Sequence, residues 1–451
     1  MVNIAKNQDG EMPVRDSFYT NWKKKTGLFF AGQTVTLIGS MLVQYAIIWY
    51  ITWSYKSGVM VMLATLFGFL PQVIVSLFAG VWADRFSKKA LIILSDLGIA
   101  AVTLVVAVLF WLGINNVWIL LAVAAVRSVG QGIQTPAVNA FVADIVPKDK
   151  LLKVNGFMGS LNGAVSIIPI MLGAVLVTAT AAASSGLSPS FMPIIFMIDV
   201  ATALVGIGIL LFIKGRKSCG EKEKTGYITE LKEGARYVLS NKFLKTYFVF
   251  YALLNFLIIP VAFLSPLQVA RSYGAQLWRL PAVELAFAIG MIAAGILIGF
   301  LPGFKSRTKT VAAASVAGGG LIALLGAVPF IPFPLEIGFI LYLTVMFFNG
   351  CSVPYYNAPS ITVLQETADP KMMGRVFGFV QIATALALPA GMLLFGPLSD
   401  AVDIEWLLLA TGIVMAIVGV VLFRNKTIQN YKSYAYKPPE DLPEEPETEI
   451  E

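Results

Sequence analysis

The sequence has no histidine, only two cysteines, and charged side chains at just 13% of its 451 residues. Each shortage removes a class of function. An enzyme would need a nucleophile with its base, or a set of metal ligands. With no histidine, and with Cys219 and Cys351 far apart, neither is at hand. No catalytic residue, metal or other cofactor is therefore expected. The two cysteines, one in a basic loop and one inside an apolar run, are also too few for a disulfide framework. No phosphate-binding loop of the Gly-x-x-x-x-Gly-Lys type is present, so any work must draw on an ion gradient. Nor is a cleaved leader expected, because the first 20 residues are polar and charged and the first apolar run is too long for a signal core.

What is abundant is apolar. Hydrophobic residues make up 57% of the chain and the mean hydropathy is +0.78, values that exclude a water-soluble surface. Hydrocarbon cannot satisfy backbone amides, so a spanning chain is helical or a closed barrel, and long runs without alternation select helices. Six runs fall near residues 28–53, 58–83, 90–112, 117–146, 153–183 and 191–213. Six more fall near 246–270, 282–303, 311–333, 335–366, 372–400 and 404–424. The expected class is all-α: a polytopic membrane protein of 12 helices in two six-helix bundles, 28–213 and 246–424.

Basic residues test this threading, since they are retained on the cytoplasmic side. Of 33 Lys and Arg, Lys56, Arg271 and Arg279 fall on one side and Arg127 falls within a helix. The rest share the side of both termini, which are expected to be cytoplasmic, in a multi-pass protein of the cell membrane. The net charge of +7 has its bulk in short loops, so it reflects topology and not nucleic-acid binding. Tryptophans at 22, 49, 53, 82, 111, 118, 278 and 406 are expected at headgroup depth.

Residues 1–27 form a terminal segment on that same side. The linker 214–245 is basic, and Ile228, Leu231, Ala235, Val238 and Leu239 recur at helical spacing, which predicts an amphipathic helix along the membrane face. Residues 425–451 end in an acidic tail without apolar periodicity.

A shift of 222 residues lays the two halves over one another. It carries Gln33 onto Asn255, Arg85 onto Arg307, Arg127 onto Asn349, Asp144 onto Glu366, Lys153 onto Arg375 and Gly156 onto Gly378. Duplicated transporters place their substrate path between the halves. At the turn after the second run, Gly80 allows close packing and Asp84 with Arg85 punctuates a tight loop, with Asp144 at matching depth. These residues form a candidate gate, with Arg307 and Glu366 as its mirror; the alternative is ordinary topogenic charge.

Arg127 lies well inside the fourth run, where a charge costs ~3 kcal/mol unless it meets a polar partner or water. Gln131 and Gln134 follow at helical spacing, the first run repeats the theme with Gln33, Ser40 and Gln44, and the tenth with Asn349, Ser352 and Tyr356. Such stripes line a cavity or glue the bundle by interhelical hydrogen bonds. Gln33, Gln44, Arg127, Gln131, Asn255, Asn349 and Tyr356 are taken as candidate cavity residues. Of the membrane carboxyls, Asp199 is mid-span and is expected to be unpaired, which makes it the first candidate to bind and release a proton. Glu284 is the second, and Asp96 is assigned to an interhelical pair.

The Gly80, Asp84, Arg85 turn resembles the Gly-x-x-x-Asp-Arg-x-Gly-Arg-Arg loop of the major facilitator superfamily, with Ser87 in place of its second glycine and Ser306 in place of the aspartate of its second-half copy. Arg127, Gly130 and Gly132 resemble that superfamily's intramembrane arginine followed by glycines. The stretch from Arg127 through Thr135, Pro136, Val146, Pro147 and Asn155, with Pro389, Gly391, Gly396, Pro397 and Asp400, is similar to the macrolide-efflux and siderophore-exporter branch of drug/proton antiporters. The resemblance implies the major facilitator fold, a cavity lined by the first, fourth, seventh and tenth helices, and export of amphiphilic or cationic small molecules against protons by a monomer in the lipid bilayer. Movement of a siderophore or lysophospholipid is the alternative, and a non-transporting receptor or scaffold the alternative of another class.

Overall fold

A computed structural model describes residues 21–147, 150, 154, 165, 167–183, 191–213, 227–274, 276, 278–300, 304, 306–369 and 372–434. No strand occurs among the described residues. The first half supplies α1 (Trp22–Tyr55), α2 (Gly58–Arg85), α3 (Lys88–Trp111), α4 (Val117–Ile145), α5 (Ile167–Ala183) and α6 (Phe191–Leu211). A surface helix, α7 (Tyr227–Ser240), leads into α8 (Lys242–Ser272), α9 (Arg279–Phe300), α10 (Arg307–Ala327), α11 (Leu335–Thr367), α12 (Met373–Ala401) and α13 (Ile404–Arg424). Eleven of these are long and apolar enough to cross a membrane, and α5 is a shorter apolar helix. The sequence reading of twelve membrane helices in the major facilitator arrangement thus matches the structure.

Local chemistry explains where the helices begin. Ser57 and Ser87 accept from the backbone amides of Met60 and Ala90, both at 3.4 Å. Asn241 accepts from Phe243 and Leu244 at 3.0 and 3.1 Å, closing donors that a helix start leaves orphaned. Prolines sit inside α2 (Pro71), α4 (Pro136), α8 (Pro260 and Pro266), α11 (Pro354 and Pro359) and α12 (Pro389 and Pro397). Packed neighbours make these breaks tolerable in a membrane helix, and each is a point where the helix can bend.

The packing repeats. In the first half α2 packs on α4, α3 on α4 and α6, and α1 on α6. In the second half α9 packs on α11, α10 on α11 and α13, and α8 on α13, which is the same scheme shifted by one bundle. The halves meet through α2 with α12 and α5 with α9, two contacts that are also mirror images. Small residues allow the close approaches: a side chain at Gly290 of α9 would strike the Phe347 carbonyl of α11, and one at Gly350 of α11 would strike the Phe287 carbonyl of α9.

The predicted amphipathic segment is helical as α7 and lies on α12 and α8. Glu233 pairs with Arg375 at 2.8 Å, and the Tyr237 hydroxyl accepts from the Asp369 amide at 3.1 Å. Val238 is buried, whereas Leu239, expected on the same apolar face, is exposed. Residues 1–20, 214–226 and 435–451 of the terminal and linker segments lie outside the described residues. Trp49, one of the tryptophans expected at headgroup depth, is 1% exposed and has a partner on the other half.

Candidate transport cavity

Two cavities adjoin along α1, sharing Tyr45, Ile48 and Thr65 in their walls. The first, of about 410 Å³, lies between the halves. The first half gives it Tyr45, Ile48, Thr65 and Ile170; the second gives Ile258, Phe263, Phe287, Met291, Met346 and one acid, Glu284. The second cavity, of about 420 Å³, is lined mainly by the first half and is rich in amides: Gln44, Gln72, Gln131 and Gln134.

Glu284 is held from across the interface. The Trp49 indole of α1 donates to its Oε1 at 3.2 Å, and its Oε2 is buried with no hydrogen-bond partner. Tyr45, which lines the chamber with Glu284, stacks on Trp49 at 5.6 Å. A desolvated carboxylate beside aromatic rings is a site for an organic cation, and with a proton bound it is neutral. The two occupants exclude one another.

The residues predicted from the sequence are distributed in a different way from that expected. Gln44 and Gln131 do line the amide-rich cavity. Arg127 does not face either cavity: it is buried inside the first bundle, ion-paired with Asp199 and donating to the Thr103 hydroxyl and, at 3.5 Å, to the Ser40 carbonyl. Ser40 in turn donates to Asp199 at 3.3 Å. The expectation of an unpaired Asp199 is therefore corrected, and the physical reason is Arg127 itself, whose charge requires a carboxylate at this depth. Asp96, expected in an interhelical pair, accepts from the Gln134 amide at 2.6 Å.

Gln33 is buried and lines neither cavity. Asn255 donates to the Tyr356 hydroxyl and to the Tyr251 carbonyl, both at 2.8 Å, and the two tyrosines stack at 5.8 Å. Asn349 and Tyr356 border a cleft of about 20 Å³ within the second bundle, too small for a substrate. For Asn255 and Tyr356 the bundle-glue alternative describes the geometry.

At the end where α1 begins and α13 finishes, α2 runs through Asp84 and Arg85, but the surroundings of Gly80 and the side chains of Asp84 and Arg85 lie outside the described residues. Asp144 receives Lys88 at 2.7 Å, a partner the sequence reading did not consider although it sits in the same loop. Arg307 and Glu366 form an ion pair in the second half.

The opposite end carries a contact that the sequence reading missed. Asp400, at the end of α12, accepts from the Ser57 hydroxyl (2.6 Å) and from the backbone amides of Gly58 (2.6 Å) and Val59 (3.0 Å). It thus caps the first turn of α2 from the other half, where the helix dipole favours a carboxylate. Arg271, at the end of α8, binds Asp400 at 2.6 Å and the Lys56 carbonyl at 2.7 and 2.9 Å. Lys56 is the sole non-glycine residue with positive φ (47°) among the described residues, and it turns the chain between α1 and α2 inside this clasp. With Trp49 and Glu284, the clasp ties the two halves together at the end away from the termini.

Comparison with known proteins agrees with this architecture. The chain is 29% identical to macrolide efflux protein A of Streptococcus pyogenes over 403 residues, spanning 88% of this chain and 95% of that protein. It is 27% identical to macrolide efflux protein A of Enterococcus faecalis over 336 residues, 74% of this chain and 99% of the relative. The fold matches the inward-facing crystal structure of a bacterial homologue of the human lysosomal transporter Spinster, with a TM-score of 0.64 at 12% identity, covering 93% of this chain and 99% of that one. The sequence model of the Major Facilitator Superfamily matches residues 29–392, and the chain belongs to that superfamily, as a multi-pass membrane transporter of small molecules.

Proposed function

We propose that this transporter exports amphiphilic cations of the macrolide type from the cell by alternating access, in exchange for protons. One observation carries the reading: the chamber between the halves is mainly apolar and has one carboxyl in its wall, Glu284, whose second oxygen is buried without a partner. An apolar body with one ammonium group complements that chamber. A macrolide has that form, and the relatives named above are macrolide efflux proteins. Since a proton and an ammonium compete for one carboxyl, binding either drives off the other, which is the minimum needed for exchange.

Of the two carboxyls singled out for coupling, Glu284 takes the part, and Asp199 serves the bundle as the partner of Arg127. The sequence supports a cell-membrane location with both termini in the cytoplasm, so that the clasped end faces outward. A single chain supplies the described cavity walls, and a monomer suffices for the cycle.

The reading is tested in an efflux-deficient host with and without the gene. Expression is expected to raise resistance to macrolides and to other amphiphilic amines, and Glu284→Gln to abolish the gain at unchanged membrane abundance. Losing a desolvated charge partner costs roughly 2–5 kcal/mol, or about 30-fold or more in affinity. Full resistance in Glu284→Gln would remove the carboxyl from the mechanism. No shift with any amine would remove the substrate class.

A further inference from the structure

We propose that Asp96 is a second proton-binding site, so that each cycle carries two protons inward for one monovalent cation outward. The proposal rests on the proton-exchange reading above and adds its stoichiometry. Among the described residues the first bundle buries three ionisable side chains: Asp96 on α3, Arg127 on α4 and Asp199 on α6, none more than 2% exposed. There is one guanidinium for two carboxyls, and Arg127 is committed to Asp199, Thr103 and Ser40.

The other described charges on the helix that carries Asp96 are also committed. On its own helix, Lys88 binds Asp144 at 2.7 Å, and Lys89 donates to the carbonyls of Leu211 and Ile213, both at 2.9 Å. In the sequence of α2 the charges are Asp84 and Arg85, in its last turn beside the start of α3, and their side chains lie outside the described residues. Among the described side chains Asp96 is left with a neutral donor, the Gln134 amide at 2.6 Å. An ionised carboxyl at membrane depth with a neutral partner is strongly disfavoured, whereas the acid form needs no counter-ion. The Gln134 contact therefore favours the acid form of Asp96.

It also has a path to water. Gln134 is both the partner of Asp96 and part of the amide-rich cavity wall with Gln131 and Gln72. One side chain separates the carboxyl from the cavity, which opens to each side of the membrane in turn. On the clasped side, cavity water delivers a proton to the Asp96 carboxylate; on the terminal side, the acid returns that proton to cavity water. In the proposed cycle the wall that carries Gln134 moves, and the making and breaking of its contact with Asp96 sets different proton affinities in the two states. Exchange at Glu284 alone moves one proton against one monovalent cation and is electroneutral. The Asp96 proton adds one net positive charge inward per cycle.

The test uses inside-out vesicles holding the full chain, radiolabelled erythromycin as the probe, and either a pH gradient or a potassium diffusion potential, interior positive, without a pH gradient. One charge per cycle lets a potential of about 100 mV hold a gradient of roughly 50-fold. The wild type is expected to accumulate the macrolide under either force. Asp96→Asn, which keeps an acceptor for Gln134, is expected to lose the response to potential, keep the response to the pH gradient, and exchange labelled for unlabelled macrolide at the wild-type rate, the last serving as the check on folding. Gln134→Leu, which leaves the carboxyl but cuts its link to the cavity, is expected to weaken the same response. Potential-driven accumulation retained in Asp96→Asn, or absent from a wild type that does respond to the pH gradient, would overturn the proposal. A wild type indifferent to both forces would overturn the proton-exchange reading itself.

Discussion

Replacing Arg127 with leucine is expected to remove most folded protein from the membrane. The Arg127 and Asp199 side chains are both buried, and among the described residues Asp199 would keep only the Ser40 hydroxyl as a donor. Breaking a buried pair from one side costs about 3–5 kcal/mol because the remaining charge is uncompensated, a large share of a typical stability of ~5–15 kcal/mol. Asp199→Leu, which strands the guanidinium, is expected to be as damaging. The double variant Arg127→Met with Asp199→Leu leaves neither charge and is expected to recover folded protein, since apolar replacement of a whole pair is often neutral. Size-exclusion profiles and thermal unfolding of the three variants check this. Single variants as stable as the wild type would show that the pair does not hold the bundle.

The second large effect is expected at the clasp. Asp400 accepts three hydrogen bonds from α2 and its cap and one from Arg271, and Arg271 also holds the Lys56 carbonyl. These bonds involve charged groups, which are worth roughly 1.5–3 kcal/mol each. Removing them with Asp400→Ala and Arg271→Ala is expected to release ~3 kcal/mol or more of preference for the state clasped at this end, a shift of roughly 100-fold in the conformational equilibrium. Spin labels at Tyr55 and Val402, exposed positions on the two halves beside the clasp, read that shift as a longer distance. An unchanged distance distribution would mean that the halves are held at this end by packing alone.

How much of this was legible in the sequence follows from the bilayer. Membrane helices announce themselves by length and hydropathy, so α1 to α6 and α8 to α13 fall where the apolar runs are, and the repeated packing matches the 222-residue shift. Faces are harder to read. Lipid-facing and protein-facing positions are both apolar, so no periodicity separates them, and a polar residue shows only that it avoids lipid.

Arg127, Gln131 and Gln134 lie on one stripe, yet Arg127 turns into the bundle, Gln131 lines the cavity, and Gln134 serves both. Asp199 looked unpaired because its partner is 72 residues away on another helix. Trp49 looked like a headgroup anchor for the same reason, its partner Glu284 being 235 residues on. The clasp joins positions more than 340 residues apart, and Asp400, though part of the motif resemblance, gave no local sign of capping a helix in the other half. Pair geometry of this kind arises only when the halves dock.

The central claim, that a proton and a substrate cation share Glu284, is tested most directly by proton release on binding. Purified protein in weakly buffered detergent solution, mixed with erythromycin under a pH indicator, is expected to release about one proton for each macrolide bound, with affinity rising as the pH is raised. Glu284→Gln is expected to release none and to bind with an affinity independent of pH. Equal release from Glu284→Gln, or binding by the wild type with no proton released at any pH, would contradict the account.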